Sequence, residues 1–130
     1  MFKILVAEDD KFLGNAYRVK LAKAGYEVVL AADGNEAIEA LKVSQPDVIL
    51  LDLMMPIKDG FSVLTDIGSN PTWKKIPVII ASNLGQREDI DKGLKLGAID
   101  YIVKSDMSLE DILAKIKQHL PSSAAVPKAA

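Results

Sequence analysis

Cysteine is missing from all 130 residues. Its absence excludes disulfide staples and thiolate metal sites, and fits a reducing compartment. Basic residues form no long block and the formal net charge is −2, so the chain carries no electrostatic footprint for nucleic acid or an anionic membrane. No apolar run approaches the length of a membrane span. The opening "MFKILVAEDD" lacks the long apolar stretch and small-residue cleavage site of a signal peptide. Internal repeats and long low-complexity tracts are also absent. These absences lead to the expectation of a soluble cytoplasmic protein that touches neither nucleic acid nor membrane directly.

What is present is globular: 49% hydrophobic and 26% charged residues in a length that suits one domain. Short apolar runs rich in β-branched residues recur at "KILVA" from Lys3, "EVVLA" from Glu27, "DVILL" from Asp47, "PVIIA" from Pro77 and "DYIV" from Asp100. They predict five strands. Between them the apolar residues take helical spacing: Leu13, Ala16, Tyr17, Leu21 and Ala24, then Ala37, Ala40 and Leu41, then Phe61, Leu64 and Ile67. Ile90 and Leu94 mark a fourth helix, and Leu109, Ile112, Leu113, Ile116 and Leu120 a fifth. Gly25 and Gly97 read as helix stops, Asp33-Gly34 as a turn, and Ser108 before Glu110 and Asp111 as a helix start. Strict alternation with strands apolar on both faces predicts a doubly wound α/β fold, a parallel sheet with helices on both sides. Residues 1–120 form the expected domain. The last ten, "PSSAAVPKAA", have no apolar period and read as a disordered tail or linker stub.

In an open parallel sheet ligands bind beyond the carboxyl ends of the strands. Asp52 follows the third strand at that edge, and "VAEDD" brings Glu8, Asp9 and Asp10 to the same edge from the first. Asp10 also reads as the cap of the first helix. Carboxylates gathered this closely repel and raise one another's pKa unless a cation is shared, and an all-oxygen set suits magnesium. The fourth strand ends at Ser82, a hydroxyl donor, and the fifth at Lys104, a compact cation able to neutralise phosphate. Carboxylate nucleophile, divalent ion, hydroxyl and lysine together describe phosphoryl transfer to an aspartate. Taken singly, each residue has a plainer reading as a cap, a turn residue or a surface lysine, and it is the conjunction of four strand ends that points to a site.

From "ILVAEDD" through "PDVILLDLMMPIKDG", "IPVIIAS" and "GAIDYIVK" to the last helix, the sequence resembles the response-regulator receiver domains of two-component signalling. The resemblance implies the flavodoxin-like strand order 2-1-3-4-5. It also implies Asp52 as phosphoacceptor, Glu8 and Asp9 as the acidic pair for Mg2+ or Mn2+, and the backbone carbonyl of Met54 as a further metal ligand. Ser82 would hydrogen-bond the phosphoryl group, Lys104 would pair with it, and Tyr101 would be the switch aromatic. The implied partners are a sensor histidine kinase or phosphotransfer protein, and a downstream protein that meets the face of the fourth helix, fifth strand and fifth helix. A catalyst of its own modification is expected rather than an enzyme acting on other substrates.

Two positions depart from the family pattern. Asn83 stands where a small residue is usual, and Ser105 follows Lys104 where a proline with a cis bond is usual. A non-proline cis bond is disfavoured by about 2.5–4 kcal/mol. These departures leave room for a phosphorylation-independent interaction module. A small aspartate-dependent phosphohydrolase is the third reading, against which stands Met54, where such enzymes place a second acid. With no effector following the receiver stretch, a single-domain or excised receiver is expected.

Overall fold

A computed structural model describes residues 2–120. Five strands alternate with five helices: β1 (Lys3–Ala7), α1 (Lys11–Lys23), β2 (Glu27–Ala31), α2 (Gly34–Val43), β3 (Val48–Leu51), α3 (Gly60–Ser69), β4 (Val78–Ser82), α4 (Arg87–Lys95), β5 (Asp100–Val103) and α5 (Leu109–Gln118). The strands pair in parallel in the order β2-β1-β3-β4-β5. Among the described residues no helix is long and apolar enough to cross a membrane.

Two cores lie on opposite faces of the sheet, and the two-residue period of the strands sorts side chains between them. Ile4 and Val6 of β1, with Val48 and Leu50 of β3, face Tyr17 and Leu21 of α1 and Ile112 and Ile116 of α5. Leu5 and Ala7, with Ile49 and Leu51, face Ala37 and Leu41 of α2 and Val63, Leu64 and Ile67 of α3. Burial on both faces is why β3 reads as one uninterrupted apolar run. The same parallel register brings the carboxyl ends of β1, β3, β4 and β5 to one edge, where Glu8, Asp52, Ser82 and Lys104 follow or close their strands.

Local signals fix the helix ends. Ser108 and Asp111 form a reciprocal capping box at α5. Gly25 and Gly97 take φ of 95° and 117°, as their reading as helix stops requires. Gly60 opens α3 against the acceptor loop: a Cβ there would lie 2.3 Å from the Asp52 carbonyl oxygen, so only glycine lets helix and loop approach this closely.

Three local expectations need correction. Asp33-Gly34 is a helix start rather than a turn, because Asp33 caps α2 by accepting from the Glu36 amide at 2.8 Å. Asp47 precedes β3 rather than joining it, and its carboxylate accepts from the Lys3 amide at 2.8 Å. On α4 the apolar stripe does not define the buried face: Leu94 is 43% exposed, and the residue packed inward is Gly93. With no side chain at 93 the helix backbone settles onto Ile80 and the Tyr101 ring, turning Leu94 outward. The tail expected at 121–130 lies outside the described residues.

Candidate functional site

At the carboxyl edge of the sheet, strand pairing continues one residue past β1 and β3. The Glu8 amide donates to Ala31 O at 2.9 Å and the Asp52 amide to Ala7 O at 3.0 Å, so both carboxylates stand on fixed backbone. Glu8 is 7% and Asp52 6% exposed. Asp9 is exposed beside them, and carboxylate oxygens of Glu8, Asp9 and Asp52 all lie within 4.8 Å of one another. Lys104, in a single 3-10 turn directly after β5, extends its ammonium between the two buried acids, 2.5 Å from Glu8 Oε1 and 3.0 Å from Asp52 Oδ2. The Met54 amide donates to Asp52 Oδ1 at 3.2 Å, and the Asp10 amide to Glu8 Oε2 at 3.2 Å. Asp10 also caps α1 through the Leu13 amide at 3.1 Å, as its position implied. The result is a cup of about 330 Å³ lined by Glu8, Asp9, Asp10, Asp52, Met54, Asn83 and Lys104.

Burial governs the electrostatics of the cup. It pushes the Glu8 carboxyl up to about 7, with the hydrogen bond from Lys104 opposing the rise and the Asp52 charge adding to it. For Lys104, burial works against the charged form, but the bond to Glu8 and the charges of Asp52 and Glu8 outweigh it and hold the ammonium above its ordinary value. Lys104 therefore stays charged and neutralises part of a cluster that would otherwise repel itself. A set of three carboxylates with oxygen-only donors at this spacing fits a hard divalent cation.

The model of the response regulator receiver domain family matches residues 4–117. The chain is a response-regulator receiver domain. Receiver domains accept a phosphoryl group in two-component signalling, and that is the function class of this chain. It is 37% identical over 131 residues to the DNA-binding dual master transcriptional regulator RpaA of a Synechocystis strain, covering 100% of this chain and 54% of that protein. It spans about half the length of the curated relatives it matches. Among solved structures, the Vibrio cholerae chemotaxis protein CheY4 superposes with a TM-score of 0.85 at 29% identity, covering 92% of this chain and 99% of that one. The Mn2+-bound form of response regulator Rcp1 superposes with a TM-score of 0.80 at 28% identity, covering 94% and 100%.

Of the residues singled out in the sequence, this receiver fold gathers Glu8, Asp9, Asp52, Met54 and Lys104 around one cup. Ser82 and Tyr101 stand behind it. Ser82 is fully buried at the end of β4, and its Oγ accepts from the Leu84 amide at 3.2 Å. Tyr101 reaches from β5 to donate its hydroxyl to Leu84 O, with its ring against Gly93. Burial and the nearby Asp89 charge raise the Tyr101 phenol. No peptide bond among the described residues is cis, and Lys104 still reaches both acids with Ser105 after it. Two features escaped the sequence reading. Ile57, in the loop that leaves Asp52, has φ of 70° and is 76% exposed. Tyr17 reads as one more core residue, with nothing in its spacing to show that it lines a cavity together with Asn83 and Lys104.

Proposed function

We propose that Asp52 is the phosphoacceptor and that a histidine kinase or phosphotransfer protein is the donor. The observation that carries this is the buried Asp52 carboxylate, held by the Met54 amide on one oxygen and by Lys104 on the other, within reach of Glu8 and Asp9. An Asp52 oxygen attacks the phosphorus of a phosphohistidine, the phosphorus–nitrogen bond breaks as the new phosphorus–oxygen bond forms, and the imidazole leaves. Lys104 pairs with the incoming phosphoryl oxygens as a point charge. Glu8, Asp9, Asp52 and the Met54 carbonyl would hold Mg2+ or Mn2+. When bound, that ion supplies positive charge against the phosphoryl oxygens. Residues 1–120 act as the receiver unit.

Output follows from what phosphorylation does to Lys104 and Ser82. A phosphoryl group shifts the population only through interactions that differ between the two states. Lys104 gives up an acid–acid bridge for the phosphoryl group, and Ser82 is the hydroxyl that can turn toward it. Ser82, Leu84 and Tyr101 are already joined by hydrogen bonds, so a movement of Ser82 reaches the ring lying under α4. Among the described residues α4 is lightly held: Gly93 is its buried residue, and Gln86 gives no side-chain cap bond. The face of α4, β5 and α5 is therefore the proposed partner surface.

Incubation with acetyl phosphate and Mg2+, followed by intact mass, tests this reading. A single phosphoryl adduct that disappears when EDTA is present supports it. No adduct would favour an inert interaction module, and steady phosphate release with no adduct would favour a hydrolase.

A further inference from the structure

The inner face of α1 carries a hydroxyl that the site described above leaves unused. Tyr17 is 1% exposed and packs in the core with Ile4, Val6, Ile102 and Ile112. Its Oη is a buried side-chain polar atom with no hydrogen-bond partner, and no other is found among the described residues. An unpaired buried hydroxyl destabilises the state that contains it, and phenylalanine would fill the same space without that penalty. A tyrosine kept here calls for a partner in another state of the molecule.

The surroundings of the hydroxyl lead toward the cup. Helical side chains lean toward the N-terminus of their helix, and α1 begins beside the acidic cup, capped by Asp10. Tyr17 lines a cavity of about 220 Å³ together with Asn83 and Lys104, and both of these also line the cup. The phenol is close enough to Glu8 and Asp52 that, after burial, their charges raise its pKa. It is thus a neutral donor facing negative charge. In the present arrangement Glu8 needs no further donor, because Oε1 takes Lys104 at 2.5 Å and Oε2 takes the Asp10 amide at 3.2 Å. When Lys104 turns to a phosphoryl group on Asp52, Glu8 Oε1 loses that bond while still buried. The Asp10 amide holds only Oε2, so Oε1 is then a buried acceptor in need of a new donor.

We propose that Tyr17 is a positioning residue of the phosphorylation site: its hydroxyl, unpartnered while Lys104 spans Glu8 and Asp52, takes over Glu8 when Lys104 moves to the phosphoryl group. The proposal rests on Asp52 being the phosphoacceptor. A bond made in one state and missing in the other favours the state that makes it. Tyr17 therefore raises the stability of the phosphorylated form and lowers that of the resting form.

Tyr17→Phe separates these effects because it removes one oxygen atom and keeps the ring. Two quantities are measured on the full chain: thermal unfolding without metal or phosphodonor, and calorimetric affinity for beryllofluoride with Mg2+, a stable mimic of the phosphoryl group. The variant is expected to unfold at the same temperature as wild type or higher, and to bind beryllofluoride about fivefold more weakly, the effect of one neutral hydrogen bond. An unchanged affinity overturns the proposal. So does a weaker affinity accompanied by a lower unfolding temperature, which is the mark of a packing role. If wild type itself fails to bind beryllofluoride, the phosphoacceptor reading of Asp52 falls and Tyr17 falls with it; if wild type binds and Tyr17→Phe binds equally well, only the role of Tyr17 fails.

Discussion

Replacing Lys104 by methionine keeps most of the side-chain volume and removes the cation from between two buried acids. Glu8 and Asp52 are then left 7% and 6% exposed without the ammonium now 2.5 and 3.0 Å away. Taking one partner out of a buried charge network is destabilising by about 3–5 kcal/mol, a large share of the roughly 5–15 kcal/mol that holds a domain folded. The loss depends on pH in a direction that Glu8 sets. Its folded pKa, about 7, lies above the 4.5 of the free group. Between those values the folded state keeps a proton that the unfolded chain has released, so the contribution of Glu8 is fully present below about 4.5 and is lost as pH climbs through about 7. Lys104, raised above its ordinary value, stays charged throughout this range. At pH 5.5 Glu8 is mostly neutral and less buried charge is left without its cation, so the loss from Lys104→Met is smaller than about 3–5 kcal/mol. Without Lys104, which holds it down, the Glu8 pKa rises further in the variant, so above pH 7 the variant loses more stability to Glu8 than wild type does and the loss at pH 8 approaches about 3–5 kcal/mol, equivalent to about 10–20 °C in Tm for a chain of this size. Urea unfolding without metal at the two pH values measures the gap directly. Adding Mg2+ at pH 8 should recover much of it, because the acids regain a cation. A variant as stable as wild type at pH 8, or a gap wider at pH 5.5 than at pH 8, would refute the electrostatic account of the cup.

Three other perturbations follow from the same geometry. Ile57 holds φ of 70° as an exposed β-branched residue, a conformation disfavoured by about 1–2 kcal/mol; Ile57→Gly should therefore raise the urea midpoint, by up to about 1 kcal/mol net of the glycine's unfolded-state entropy, while Ile57→Val should not. A Cβ at 93 would lie 2.5 Å from Ile80 Cδ1 and 3.4 Å from the Tyr101 ring. Gly93→Ala should thus displace the Ile80 methyl or lift α4 from the sheet, seen as a shift of the Ile80 methyl resonance and faster amide exchange in α4. Met54 and Leu84 both line the apolar groove of about 470 Å³ beside the cup, where neither can orient a water. Met54→Asn with Leu84→Glu should speed phosphate loss from the labelled protein by about tenfold, or about 1.4 kcal/mol of barrier; an unchanged decay after the phosphodonor is removed would show that something else controls the water.

The residues that could be read in advance are those whose role follows from strand ends. A run apolar on both faces, such as Val48–Leu51, can sit only inside a covered parallel sheet, and the residue after it must emerge at the ligand edge. Asp52, Glu8 and Lys104 follow from that rule. Strand order does not, since periodicity says which residues are buried but not which strands are neighbours. It came from the family resemblance and is the order observed. The α4 face was misread because helical spacing counts side chains, and the contact there is made by a glycine that has none. Tyr17 shows the opposite failure. Its spacing correctly puts it in the core, but whether a core hydroxyl is satisfied depends on neighbours from the turn after β5 and the loop after β4 that are distant in sequence. The strain at Ile57 was equally hidden, because "PIKDG" looks like an ordinary turn until the backbone angle is known.

The most direct test of the central claim compares wild type with Asp52→Asn. Both proteins are incubated with acetyl phosphate and Mg2+, and the intact mass is read over time alongside circular dichroism. The amide keeps the shape of the side chain but cannot act as the carboxylate nucleophile. Wild type should gain one phosphoryl group, while Asp52→Asn should gain none and keep the wild-type spectrum. Labelling of Asp52→Asn at an undiminished rate would contradict the account, because the phosphoryl group would then be carried by a residue other than the one Lys104 holds at 3.0 Å.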